Sequence, residues 1–222
     1  MMKKYLFLPT LAIAILMSGC QSTASTKPEN TPIQTGNIEN SLTSEMPVAT
    51  PTEEPIETKR EDADFRNAKW GENRDTVKKY ETEITLIESD EKLAGETVVG
   101  GYDSYAAYLF DDDKLYEGFY TFPLKFSNAG QYIPVYNDLK EMLTKKYGEP
   151  YEDEIIPLTE QSLIDSAGPA DALHFGYVVY RAQWETKTTD IMIGMMAENF
   201  DESLLISYTD KNYEEDINDT GL

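Results

Sequence analysis

From Gln21 to Asp62 the chain contains no aromatic residue, and from Phe65 onward aromatics recur throughout. That break decides where a fold can exist. Ser, Thr, Asn, Pro and Glu dominate the early stretch, with prolines at Pro28, Pro32, Pro47, Pro51 and Pro55. Such a segment buries too little apolar surface to offset its ordering entropy, which predicts a disordered tether over 20–62. A hydrophobic core must come from residues 63–210, about 150 positions, enough for one ordinary domain. Cys20 is the only cysteine, so no internal disulfide can staple that domain. Residues 211–222 are acidic and predict a flexible tail.

Ahead of the tether lie two lysines, Lys3 and Lys4, an apolar run from Tyr5 to Leu16, and then Met17-Ser18-Gly19-Cys20. A basic start, a short apolar run and small residues form an export signal. An apolar run of about a dozen residues is short of the roughly 20 a spanning helix needs. The stretch closing on Cys20 resembles the lipobox of bacterial lipoproteins. The resemblance implies that residues 1–19 are a signal peptide and that the Cys20 thiol takes a diacylglyceryl group of palmitate type. The mature chain would then be held at the outer, extracytoplasmic face of the cell membrane by lipid on Cys20. Two or three acyl chains make a stable anchor, because each buried methylene contributes about 0.8 kcal/mol.

The net charge of −22, from 19 basic and 41 acidic residues, excludes a nucleic-acid partner, since such binding rests on neutralising phosphates with Lys and Arg. It equally opposes docking on anionic lipid heads. His174 is the only histidine, which removes multi-histidine metal sites. The chain carries neither a phosphate-binding glycine loop nor a dinucleotide fingerprint. Asp111-Asp112-Asp113 lacks the turn glycine and closing acid of a calcium loop and predicts an acidic turn. No catalytic, cofactor or metal residue is singled out, and the chain is expected not to be an enzyme. A carboxylate-based hydrolase is the lesser alternative, because no acid pair stands out among 41.

Local patterns give the elements. Asn73 caps a short helix over about 74–81, with Val77 and Tyr80 at helical spacing. Ile84–Glu88 and Glu96–Gly100 predict strands. Tyr105–Phe110 and Leu115–Phe122 predict a hairpin around the aspartates. Tyr132, Tyr136, Leu139, Leu143 and Tyr147 recur at steps of four and three, which predicts a helix over 132–147 stopped by Gly148 and Pro150. A strand near Glu154–Ile156 and an irregular loop through His174 follow. Tyr177–Glu185, Asp190–Met196 and Ser203–Thr209 predict an antiparallel meander. Trp70 and Trp184 are expected to be buried.

Phe65-Arg66, Trp70-Gly71, Val77 and Glu81 resemble the opening of a family of uncharacterised exported proteins of Gram-positive anaerobes. Lys146-Tyr147-Gly148-Glu149-Pro150, Trp184-Glu185-Thr186, Glu198-Asn199 and Ile206-Ser207-Tyr208 resemble that family's second half. These are packing and capping residues, so the resemblance implies kinship and brings no catalytic residue. The fold class is α+β, with two helices packed on antiparallel sheet. The order helix-then-strands occurs twice, which allows two helix-plus-meander halves. That order is similar to tandem modules in small envelope lipoproteins of the outer-membrane assembly type and in secreted β-lactamase-inhibitory proteins. With 15 tyrosines offering contact area with a polar tip, the expected function is a non-catalytic binding or interaction domain for a protein or small-molecule ligand. The alternative is a helper of envelope assembly or export.

Overall fold

A computed structural model describes residues 60–214 of the chain. Residues 1–59, which include Cys20 and nearly all of the expected tether, and residues 215–222 lie outside the described residues. The elements run α1 (Arg74–Tyr80), β1 (Ile87–Glu88), β2 (Lys92–Val99), β3 (Tyr102–Asp111), β4 (Lys114–Thr121), α2 (Tyr132–Tyr147), β5 (Glu152–Pro157), α3 (Gln161–His174), β6 (Val178–Glu185), β7 (Thr189–Glu198) and β8 (Asp201–Asp210).

The fold is α+β with one eight-stranded antiparallel sheet in the order β1-β2-β3-β4-β8-β7-β6-β5. The strands β1 to β4 follow one another across one half, and β5 to β8 across the other. The halves join where β4 pairs antiparallel with β8, from Glu117↔Thr209 to Thr121↔Leu205. Both inner hairpins turn in two residues with positive φ: Asp112 (46°) and Asp113 (58°) after β3, Asn199 (52°) and Phe200 (67°) after β7. Such turns match the right-handed twist of the strands they join.

The helices pack on one face of this sheet. Tyr136 of α2 meets Tyr180 of β6 with ring centroids 5.6 Å apart. Val77 of α1 joins the same core as Leu139, Leu143, Ile193 and Ile206. Phe65 packs on that face directly over Gly118, where an added Cβ would sit 2.1 Å from the Phe65 ring. The glycine therefore admits the ring, and any side chain at 118 would expel it.

Three helices replace the expected two. Residues expected to be an irregular loop form α3, which is two short pieces merged across Gly168 (φ 75°, ψ 170°) with Pro169 opening the second. Pro suits a first helical position because that N–H has no helical partner. Only Ile87–Glu88 of the expected first strand pairs, because Ile84 and Leu86 pack against the core instead. Trp184 is 2% exposed as expected, and its Nε1 donates to the Gly148 carbonyl at 2.8 Å. Trp70 is only half-buried, and its Nε1 donates to Oγ1 of the buried Thr189 at 3.0 Å. The helix over 132–147 and the Asn73 cap, which accepts from the Thr76 N–H at 2.9 Å, stand as expected.

A buried ion pair ties the segment before α1 to the sheet. Arg66 donates from Nε to Glu81 Oε2 at 2.9 Å and from Nη2 to Oε1 at 3.2 Å. The Tyr108 hydroxyl donates to the same Oε2 at 2.5 Å, and Arg66 Nη1 reaches Thr97 at 3.2 Å. The Glu81 side chain is fully covered. Removing one member of such a pair strands the other's charge in a dry site. Arg66→Met should therefore cost about 3–5 kcal/mol in urea unfolding. Arg66→Met combined with Glu81→Leu should recover most of that loss. Equal losses in the single and double variants would show that the charge pairing is not what holds this segment.

Candidate functional site

Because successive side chains alternate across a strand, the register assigns every sheet residue to a face. One line of partners crosses all eight strands on the face away from the helices: Glu152, Gln183, Met192, Ser207, Phe119, Ala107, Ala94 and Ile87. A second line beside it runs Glu154, Arg181, Gly194, Leu205, Thr121, Tyr105 and Glu96. No described helix covers this face.

The open face is apolar at its centre. Met192, Met196, Phe119 and Leu109 are half-buried, and Leu205, Ser207 and Ala107 are buried between them. Toward the β1–β2 edge, Tyr105, Val98 and Ile87 are exposed at 42%, 61% and 74%. The rim is acidic. Glu96, Asp103, Glu117 and Glu198 have no ion-pair partner among the described residues, while Glu152 and Glu154 hold Arg181 and Lys211 sits against Glu185 and Asp190.

Glu117 is the member of this rim whose carboxyl burial affects most. It pairs in register with Thr209 of β8 and Leu109 of β3. Burial pushes its carboxyl up to about 7 from the ordinary 4.5, because apolar neighbours disfavour the charged form. Arg181 is a second unusual member: it donates to Glu154 and its Nη2 lies 3.2 Å from Glu152 Oε2, yet its buried Nε has no partner among the described residues.

The residues singled out from sequence do not converge. Asp112 and Asp113 form the β3–β4 turn, where Asp113 Oδ1 accepts from the Arg74 N–H at 3.2 Å. His174 ends α3 rather than sitting in a loop, and its Nδ1 lies 2.7 Å from Glu202 Oε1. Cys20 lies outside the described residues. Tyr132 and Tyr136 are core, at 4% and 1% exposure. The open face went unseen, although a signal was present. A strand with one wet face alternates apolar and polar, whereas Phe119-Tyr120, Met192-Ile193, Met195-Met196 and Leu204-Leu205-Ile206 are apolar on both.

Among the described residues, no helix is long and apolar enough to cross a membrane, and no cluster of three or more His, Cys, Asp or Glu side chains could hold a metal ion. In comparisons with known proteins, no family model, no curated protein and no solved structure matches the chain.

The raised carboxyl of Glu117 makes a signed prediction. Its folded value exceeds its unfolded one, so the folded state binds the extra proton between about 4.5 and 7. The stability this group allows is present below about 4.5 and is lost as pH rises through 7. Glu117→Gln should thus stabilise the chain by about 2–3 kcal/mol at pH 8 and by little at pH 4.5. Urea unfolding at both pH values measures it. An equal gain at the two values would mean that the carboxyl titrates normally.

Proposed function

We propose that this chain is a lipid-anchored extracytoplasmic protein whose domain binds a protein partner, without catalysis, on the open face of its sheet. One observation carries the reading: the central strands are apolar on both faces, yet described helices cover only one. Contiguous exposed apolar surface of this kind marks interaction sites. The partner's matching surface is apolar at its centre and basic at its rim, to answer Glu96, Asp103, Glu117 and Glu198. An apolar centre with a charged rim is the usual anatomy of a protein interface. Cys20 would fix the domain to the membrane, and the tether would set how far from it the face can reach.

Affinity capture from envelope extracts tests the surface, using the full chain and three single variants. Met192→Lys and Tyr105→Lys place a cation on the open face. Phe175→Lys places one on an exposed aromatic after α3. The expected partner has a basic surface, binds more weakly as salt rises, and is lost with the first two variants but not the third. Capture unaffected by Met192→Lys, or lost only with Phe175→Lys, would overturn the reading. A homodimer abolished by Met192→Lys would give the face to a second copy instead. For the anchor, Cys20→Ala should abolish metabolic labelling by a lipid precursor, and label persisting on that variant would contradict it.

A further inference from the structure

On the helix-covered side, a cleft of about 340 Å³ opens between the segment before α1, the end of α2 and the β6–β7 turn. Its volume is at the lower end of small-molecule sites. We infer that this cleft binds a small anionic saccharide: a single ring of hydroxyl groups carrying one carboxylate.

The lining supplies hydroxyl chemistry in both senses. Tyr120 and Tyr208 form the floor, from β4 and β8, with Tyr147 of α2 beside them. Burial keeps the phenols of Tyr120 and Tyr208 well above their ordinary range, so both retain protons to donate. Arg66 lines the cleft beside Tyr120, and its positive charge offsets part of that upward shift. On the opposite wall, Thr188 donates to Asp64 Oδ1 at 2.6 Å and lies 3.3 Å from Thr189 Oγ1, which leaves its oxygen one further lone pair to accept with. Asp64 accepts from Trp70 N–H at 3.0 Å as well, which fixes the carboxylate in place. Sugar hydroxyls both donate and accept, and this wall-and-floor pairing offers them both.

The charge is supplied once. Arg66 is already committed, because Glu81 takes its Nε and Nη2 and Thr97 takes its Nη1. Lys146 at the mouth is exposed and has no carboxylate partner among the described residues. Its Nζ sits 4.8 Å from the centre of the Tyr147 ring. Neighbouring Lys145, by contrast, is paired with Glu141 at 2.7 Å. One uncommitted cation and one fixed carboxylate in the same lining suit a ligand of single negative charge and oppose a phosphate or polyanion. The backbone supports a built site. Arg66 holds φ at 52°, a left-handed conformation that costs a non-glycine residue energy and marks functional positions more often than chance.

The cleft and the open face lie on opposite sides of the sheet, so either reading can fail without the other. Calorimetric titration of the full chain in detergent with D-glucuronate and with D-glucose, at matched ionic strength, tests the cleft. Glucuronate should bind saturably and glucose about tenfold more weakly, the loss expected when one charge-assisted contact goes. Lys146→Ala should weaken glucuronate by about tenfold and leave glucose unchanged. Thr188→Val should weaken both, while Lys145→Ala and Met192→Lys should change neither. Absence of saturable glucuronate binding, equal binding of the two sugars, or equal losses with Lys145→Ala and Lys146→Ala would overturn the assignment.

Discussion

The pairing of β4 with β8 is the constraint on which this molecule depends. Without it the chain is two four-stranded sheets, each too small to bury a core of this size. With it, Gly118 lies opposite Tyr208 and Tyr120 opposite Ile206, and one continuous helix-side face gathers Phe65, Tyr108, Ile193 and Leu139 into one core. The same seam sets Phe119 beside Ser207 and Glu117 beside Thr209 on the other face. A single register thus builds the core and the open surface together. A slip of one residue would exchange the two faces.

The helix-side face is completed by close fits that tolerate little change. Phe65 needs Gly118 beneath it, and Leu139 approaches the β2–β3 turn so closely that a Cβ on Gly100 would come within 2.9 Å. The pair of Arg66 and Glu81 pins the same segment whose Asp64 and Arg66 wall the cleft. Stability and a candidate ligand site therefore share one strand of chain. The open face works by a different rule. Its burial is supplied side by side within one layer, with Ser207 between Met192 and Phe119, so a partner would complete a surface that is already well packed.

Local signals were legible where they had local causes. The spacing of Tyr132, Tyr136, Leu139 and Leu143 placed α2 at Tyr132–Tyr147, and Asn73 marked the start of α1 through its own hydrogen bond. The hairpins followed from aromatic runs around short polar turns. α3 was missed because Gly168-Pro169 interrupts it and its two pieces are each too short to show a stripe. The β7–β8 turn was drawn too long because Phe200 at φ 67° holds a position that usually favours Gly or Asn. The seam between β4 and β8 has no local cause at all, since pairing across some 90 residues leaves no trace in composition or spacing. The cleft was invisible for the same reason: Arg66, Tyr120, Lys146, Thr188 and Tyr208 meet only after the sheet closes.

The claim that a partner covers the open face is tested most directly by methionine oxidation on intact cells. Met192 and Met196 project from that face and are half-buried, while Met195, on the helix-covered face of the same strand, is fully buried and serves as the internal reference. Peroxide converts an accessible methionine to its sulfoxide, and mass spectrometry reads each position. Met192 and Met196 should oxidise several-fold more slowly on cells than in the purified chain, with Met195 slow in both. Equal rates for Met192 and Met196 in the two settings would mean that the face stays bare, and would contradict the binding role assigned to it.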